Sequence, residues 1–306
     1  MEQFWHKGQL KTGASVTLSL TEPGWLYGAT VFTTLRVYET SLDHPLTAWD
    51  AHCDRLQSSM CAFGWRSPDW NAVRLGAHHL AEQYPVLRIT LFPDGAELIT
   101  GRSLPQNLAQ DQQQGIAAWV AGSEYRRSFA AHKTGNYLPC WLALQEAKRH
   151  EAEEAILTDA QGRWLETSTG NLWAWADGSW WTPPLVYPPS NMSNMYSDNT
   201  YSESFNAGQT QKAGQTHLDT SENSDILPGV VRSQVISRLK WQNERINELH
   251  RFADQPARFE TLAYTNSVRQ VVPIHTVVEG TALAEQICHR FNVNHPALKR
   301  LKMVFE

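Results

Sequence analysis

The run His132-Lys133-Thr134-Gly135-Asn136-Tyr137-Leu138, followed downstream by Leu165-Glu166-Thr167-Ser168-Thr169-Gly170-Asn171-Leu172-Trp173, carries more information than any other part of this chain. A lysine among small and turn-forming residues offers an amine that becomes nucleophilic once it loses its proton. The glutamate ends a short apolar stretch and precedes a Thr/Ser-rich loop. Next to a cation, such a carboxylate is held in its charged form by about 1 to 3 pK units. Taken singly, Lys133 would read as a solvated lysine and Glu166 as a loop carboxylate. Around them the pattern is regular. Pro139 opens a helix to about His150, short strands follow near 155–158 and 164–166, and 172–181 reads as a tight hairpin through Asp177-Gly178.

On the N-terminal side, strands and helices alternate. Val16, Leu18 and Leu20 alternate as in a half-buried strand, and Thr30 to Tyr38 is rich in β-branched and aromatic residues. Thr47 is the expected N-cap of a helix that places Trp49, Cys53, Leu56 and Met60 on one face. A second helix after Ser67-Pro68 carries Val73, Ala77, Leu80 and Tyr84, and stops before Pro85. Val86 to Phe92 and Ala96 to Gly101, joined by Pro93-Asp94-Gly95, have the pattern of a hairpin. Residues 103–114 turn polar and glutamine-rich, which places a domain boundary there. The expected domains are 1–114, ending in that linker, and 115–306, opening with a strand at Gly115 to Ala121.

On the C-terminal side, 187–225 falls to Ser, Asn, Thr, Gln and Gly and reads as a flexible insertion. Order resumes at Ile226. Val231, Val235 and Leu239 then recur every four residues, the mark of an amphipathic helix beginning near Gly229. Strands at 259–264 and 268–274 flank Thr265-Asn266-Ser267, and a final helix is expected to carry Leu283, Ile287 and Phe291.

Composition narrows the function classes. The chain has 306 residues, 42% of them hydrophobic and 10% aromatic, enough to build real cores. A net charge of -5 with no basic block leaves no electrostatic footprint for nucleic acid or an anionic membrane. Cys53, Cys61, Cys140 and Cys288 form no C-x-x-C pair and fit reduced thiols. The amino terminus has no long apolar stretch of a secretory signal, and no run approaches the roughly 18 apolar residues of a spanning helix. A cytoplasmic location is therefore expected. The 12 histidines show no metal-ligand spacing, so no metal is expected. The 13 tryptophans and the Trp-rich hairpin also admit a noncatalytic sugar-binding module, although alternating tryptophans on strands more often pack a core.

The two opening runs resemble signatures of the class IV aminotransferase family, the fold-type IV enzymes that use pyridoxal 5'-phosphate. Further runs match in family order. His52-Cys53-Asp54-Arg55-Leu56 resembles His-x-x-Arg-Leu, Leu227-Pro228-Gly229-Val230-Val231-Arg232 resembles Leu-Pro-Gly-x-x-Arg, and Ser267 matches a hydroxyl before a Val-x-Pro strand. The resemblance implies a two-domain α/β (α+β) fold with the cofactor between the domains, and a homodimer whose interface borders the active site. It implies that Lys133 is catalytic and forms a Schiff base with the cofactor, and that Glu166 keeps the pyridine nitrogen protonated. Arg55, Ser267 and the backbone of Val230 and Val231 would hold the phosphate, the last two at a helix N-terminus. Tyr137 would hydrogen-bond the phenolic oxygen.

Within the family the chain departs from the commonest pattern. Most members read Tyr-Gly-Asp-Gly-x-Phe-Glu-Thr where this chain has Tyr27-Gly28-Ala29-Thr30-Val31-Phe32-Thr33-Thr34. Phe32-Thr33-Thr34-Leu35-Arg36-Val37 is similar instead to the Phe-Thr-Thr-x-Arg-Val of 4-amino-4-deoxychorismate lyases. That similarity implies a small-molecule amine substrate, release of 4-aminobenzoate and pyruvate for folate synthesis, and Tyr27 and Thr33 in the substrate pocket. Leu91-Phe92-Pro93-Asp94-Gly95 replaces the family's Thr-Arg-Gly or Ser-Arg-Gly, so Arg126 or Arg127 is expected to meet the substrate carboxylate. An aminotransferase for branched-chain or D-amino acids stays open, because Gly135-Asn136-Tyr137 and the Leu-Pro-Gly run fit either activity.

Overall fold

Strand alternation organises the N-terminal part around one antiparallel sheet. β1 (Gln3–His6) and β2 (Gln9–Thr12) form a hairpin, followed by α1 (Pro23–Tyr27), β3 (Val31–Arg36), α2 (Trp49–Ala62) and α3 (Trp70–Ala81). The hairpin of β4 (Val86–Leu91) and β5 (Glu97–Arg102) completes a five-stranded sheet of order β2-β1-β5-β4-β3. Along β3, Val31 and Leu35 turn to one face and pack with Leu56, Met60, Val73, Ala77 and Leu80 of the two helices. Phe32, Thr34 and Arg36 take the opposite face, because successive side chains of a strand alternate. This structure, a computed structural model, describes residues 2–185, 224–248, 256–280 and 287–305.

After α4 (Leu108–Gln114) the chain builds a second sheet from β6 (Ile116–Val120), then α5 (Leu138–Arg149), β7 (Glu154–Thr158), β8 (Trp164–Thr167), β9 (Asn171–Ala176) and β10 (Ser179–Thr182). α6 (Val230–Trp241), β11 (Ile246–Glu248), β12 (Thr261–Asn266), β13 (Gln270–Glu279), β14 (Ile287–Arg290) and α7 (Pro296–Lys302) complete it. The order is β11-β10-β9-β12-β13-β6-β7-β8, with β14 paired to β13. Parallel pairs occur at β13–β6, β6–β7 and β10–β11. Asp177 and Gly178 both hold positive φ, 52° and 71°, as the tight β9–β10 turn requires. Trp173 and Trp180 of that hairpin are wholly buried against Val231, Val235 and Leu239 of α6 and Leu298 and Leu301 of α7. They form core, not the exposed platform a sugar would need.

Several elements differ from the sequence reading. Val16, Leu18 and Leu20 form no strand and Leu20 is 88% exposed, because alternation without a sheet edge to pair with leaves backbone groups to water. α2 is capped by Ala48 at φ 51°, while the Thr47 hydroxyl instead donates to Ser41 O and accepts from Tyr38 N. The end of the polar linker is helical, with Leu108 buried. Ile287 belongs to β14 and not to a helix: pairing such as Val278↔Cys288 with the open edge of β13 outweighs the local helical spacing. Leu283 lies outside the described residues, as does the expected insertion except for Ser224 and Asp225. Those two hydrogen-bond back to Leu185 O, at 2.7 Å from Ser224 Oγ and 3.0 Å from Asp225 N. Among the described residues, no helix is long and apolar enough to cross a membrane, and no three His, Cys, Asp or Glu side chains gather as a metal site.

Candidate active site

Lys133 sits where the loop before α5 joins the outer edge of β3. Phe32 N donates to Lys133 O at 2.8 Å and Gly135 N to Thr30 O at 2.7 Å, so the loop extends the N-terminal sheet. Gly135 is required there, since a Cβ would come within 2.3 Å of Thr30 Oγ1 and 2.7 Å of Gly28 O. Lys133 Nζ donates to the Tyr137 hydroxyl at 2.8 Å. Burial, reinforced by the positive charges of Arg55 and Arg127, pushes the lysine down to about 7. A large fraction of the amine is then unprotonated near neutrality, as a nucleophile or proton carrier needs. Burial raises the Tyr137 phenol, which stays protonated.

Glu166 ends β8 and is buried. Its Oε1 accepts from Arg127 Nε at 2.9 Å and Nη2 at 2.7 Å, and its Oε2 from Leu227 N at 3.0 Å. Arg127 also donates to Ala130 O and His132 O, so it clasps the loop that presents Lys133. Burial opposes the charge on Arg127, but the adjacent Glu166 outweighs it and raises the pKa. The guanidinium expected to meet a substrate carboxylate is therefore engaged by Glu166. Arg126 pairs with Asp225.

Arg55, on α2, donates from Nη2 to Thr33 Oγ1 at 2.7 Å, while its Nε is buried with no hydrogen-bond partner. Burial, with the charge of Arg127, lowers it to about 10. Thr33 is wholly buried and also lies 2.6 Å from His52 Nδ1. The threonine hydroxyl, which accepts from Arg55, can pass its own proton to the Nδ1 of a neutral His52. Burial and the charges of Arg55 and Lys133 hold the His52 pKa well below its ordinary value, in agreement. Thr33 was expected to face substrate. The phase of β3 instead directs it to α2, where it orients Arg55, and turns Thr34 to the other face.

Across from Arg55, Gly229 caps α6 with no side-chain partner, leaving the N–H groups of the first helical turn to other acceptors. Asn171 Nδ2 holds Leu227 O at 3.0 Å and fixes this loop to β9. A cavity of about 800 Å³ opens between α2 and α6 and is lined by Arg55, Ser59, His132, Pro228, Val230 and Ser233. Val231 is buried against the hairpin tryptophans. Ser267 lies in the β12–β13 turn, which Asn266 Oδ1 braces by accepting from Val268 N and Arg269 N. Tyr27 is 77% exposed at the end of α1.

One further cation was missed in the sequence. Arg88, on β4, places its guanidinium carbon 3.5 Å from the centroid of the Phe32 ring, the ring that also lies 4.8 Å from Lys133 Nζ. Only the β3–β4 register, which pairs Thr34 with Arg88, reveals the proximity.

The family model for amino-transferase class IV matches residues 30–187. An aminodeoxychorismate lyase of Vibrio harveyi is 25% identical over 199 residues, covering 60% of this chain and 70% of that protein. A branched-chain-amino-acid aminotransferase of Escherichia coli (strain K12) is 23% identical over 217 residues, 71% of this chain but 54% of that enzyme. A solved structure of a hypothetical aminotransferase from Mycobacterium tuberculosis, in its PLP-bound form, superposes with a TM-score of 0.72. It shares 14% sequence identity and covers 99% of this chain and 97% of that one.

Proposed function

Since the chain belongs to the class IV aminotransferase family, we propose that it is a pyridoxal 5'-phosphate enzyme acting as a 4-amino-4-deoxychorismate lyase, forming 4-aminobenzoate and pyruvate. The donor set fits that cofactor. Arg55 has a buried Nε without a partner, as an anion site would show, and α6 presents open N–H groups beside it. Arg55, Ser267 and the backbone of Val230 and Val231 would hold the phosphate, Lys133 the aldehyde carbon, Tyr137 the phenolic oxygen and Glu166 the ring nitrogen. When bound, pyridoxal phosphate supplies a ring that accepts the electron pair released as a proton leaves the substrate carbon next to nitrogen.

The chain's own groups then manage protons. Lys133, near neutral and hydrogen-bonded to Tyr137, removes the ring proton from the carbon bearing the substrate amine. Arg127 fixes the Glu166 carboxylate through two hydrogen bonds, so that it would be placed to accept from a protonated ring nitrogen. A proton delivered to the enolpyruvyl methylene lets the adjoining C–O bond break and pyruvate leave as the ring becomes aromatic.

The observation that carries the lyase reading is the Phe32-Thr33-Thr34-Leu35-Arg36-Val37 run on β3, the strand that borders Lys133. The test is product per active site with aminodeoxychorismate and no keto acid. An eliminating enzyme makes 4-aminobenzoate and pyruvate over many turnovers. Turnover confined to leucine or D-alanine, and dependent on 2-oxoglutarate, would establish an aminotransferase instead.

The functional unit in this reading is a cytoplasmic homodimer. Trp25, Leu26 and Tyr27 on α1 and Leu138, Trp141 and Leu142 on α5 are exposed apolar side chains, and Gly28, at the end of α1, lies against the backbone of Gly135 and Asn136 just before α5. A second copy would cover them, and sedimentation of the protein tests it.

A further inference from the structure

Strand register gathers three arginines on one face of the N-terminal sheet. Arg36 on β3, Val86 on β4 and Arg102 on β5 stand in one cross-strand row, and Thr34, Arg88 and Thr100 in the next. Residues directly opposite share a face, so all three arginines project from the side of Phe32, away from the apolar side packed on α2 and α3. Arg36 and Arg102 are two strands apart, roughly 10 Å at the backbone. None of the three pairs with a carboxylate among the described residues. Their contacts are the Tyr38 ring, 4.8 Å from Arg36, the Phe32 ring, 3.5 Å from Arg88, and the Thr90 hydroxyl, 3.4 Å from Arg88 Nε.

This face borders the reactive cleft at both ends. Phe32 meets Tyr137 edge-on at 5.3 Å and lies beside Lys133. At the other end, the Tyr38 hydroxyl accepts from Gln270 Nε2 at 2.8 Å, next to the turn that carries Ser267. Arg102 there is close enough to Arg269 for that charge, after burial, to lower its pKa. In a chain of net charge -5, three guanidinium groups with no acid partner among the described residues, one of them on the ring that Lys133 also approaches, make a local field that favours anions. Each guanidinium can grip a carboxylate with two parallel hydrogen bonds.

We propose that this arginine face recognises the substrate, and that its ligand is a small amine carrying two carboxylates. Arg88 holds the carboxylate nearer Lys133, and Arg36 and Arg102 hold the farther one. The assignment rests on Lys133 being the reactive amine of a pyridoxal phosphate site. It supplies the carboxylate recognition that Arg127, engaged by Glu166, does not. A monocarboxylate leaves one end of the face unpaired, so the surface selects by charge number as well as shape.

The test titrates the holoenzyme with benzene-1,3-dicarboxylate and with benzoate, reading heat on binding. The wild type should bind the dicarboxylate at least about 10-fold more tightly. Loss of a hydrogen bond to a charged group corresponds to roughly 10- to 150-fold in affinity, the drop expected for the dicarboxylate in Arg88→Gln and in Arg102→Gln. Arg102→Gln should leave benzoate binding unchanged, which a general loss of structure would not. Both variants should keep the borohydride label at Lys133. Intact labelling with equal affinity for the two acids, or with wild-type discrimination in both variants, overturns the proposal alone. No label at Lys133 in the wild type overturns it together with the cofactor reading.

Discussion

Removing Arg127 should expose how much of the site depends on a single buried ion pair. The side chains of Arg127 and Glu166 are 4% and 6% exposed and meet through contacts of 2.9 and 2.7 Å. In Arg127→Met the carboxylate keeps only Leu227 N, and the Ala130 and His132 carbonyls lose a donor. Breaking a buried pair from one side costs about 3 to 5 kcal/mol, because the remaining charge is left without compensation. At roughly 2 to 4 °C per kcal/mol for a chain somewhat smaller than this one, Tm should fall by about 6 to 20 °C. The assay is thermal unfolding of the cofactor-free protein, followed by circular dichroism, for Arg127→Met, Glu166→Gln and the double variant. Once Glu166 is neutral, loss of Arg127 should cost less, giving a coupling of at least about 1 kcal/mol between the two sites. A Tm for Arg127→Met within about 2 °C of wild type, or strict additivity in the double variant, would refute the argument.

Other expectations follow from the same geometry. Lys133→Ala should abolish turnover and the borohydride label; a label mapping to Lys148 or Lys7 would sink the assignment. Because burial, Arg55 and Arg127 depress Lys133 to about 7 from 10.5, its reactive form is lost as pH falls through about 7 and is fully present above it. The rate of forming a reducible adduct should therefore drop about tenfold per unit of pH below that point, and a midpoint near the ordinary lysine value would contradict the cause given. Arg55→Ala and Ser267→Ala should each weaken cofactor binding roughly 10- to 150-fold while slowing the saturated enzyme less, measured by equilibrium dialysis; unchanged affinity in both would rule out this cradle. Replacing 186–223 by a short linker should leave folding and activity near wild type, since Leu185 and Asp225 are already hydrogen-bonded at 3.0 Å; loss of the unfolding transition would count against it.

Much of this protein is legible in short stretches of sequence. The α2 and α3 faces, the β4–β5 and β9–β10 hairpins and the start of α6 at Gly229 all carry local signals: apolar period, turn residues and a helix-opening glycine or proline. Lys133, Glu166, Arg55 and the Leu-Pro-Gly run stand out because each is embedded in a motif of neighbours. The failures share one cause. The apparent strand at Val16 to Leu20 and the apparent helix around Ile287 had plausible local periods, but backbone pairing depends on whether a partner edge lies nearby, and β13 offered one only to Ile287–Arg290.

The division is sharpest in the site itself. The sequence by itself singles out Lys133, Glu166 and the groups proposed to hold a phosphate, because these reside in runs whose chemistry is local. Only the tertiary structure shows that Thr33 faces α2 and props Arg55, that Arg127 is spent on Glu166 from 39 residues away, and that Arg88 shares a ring with Lys133. The alternation along β3 is visible in one dimension, but its phase has meaning only once the helices choose a face of the sheet. A buried charge, likewise, takes whichever partner packing brings within hydrogen-bond reach, and distance along the chain does not limit that choice.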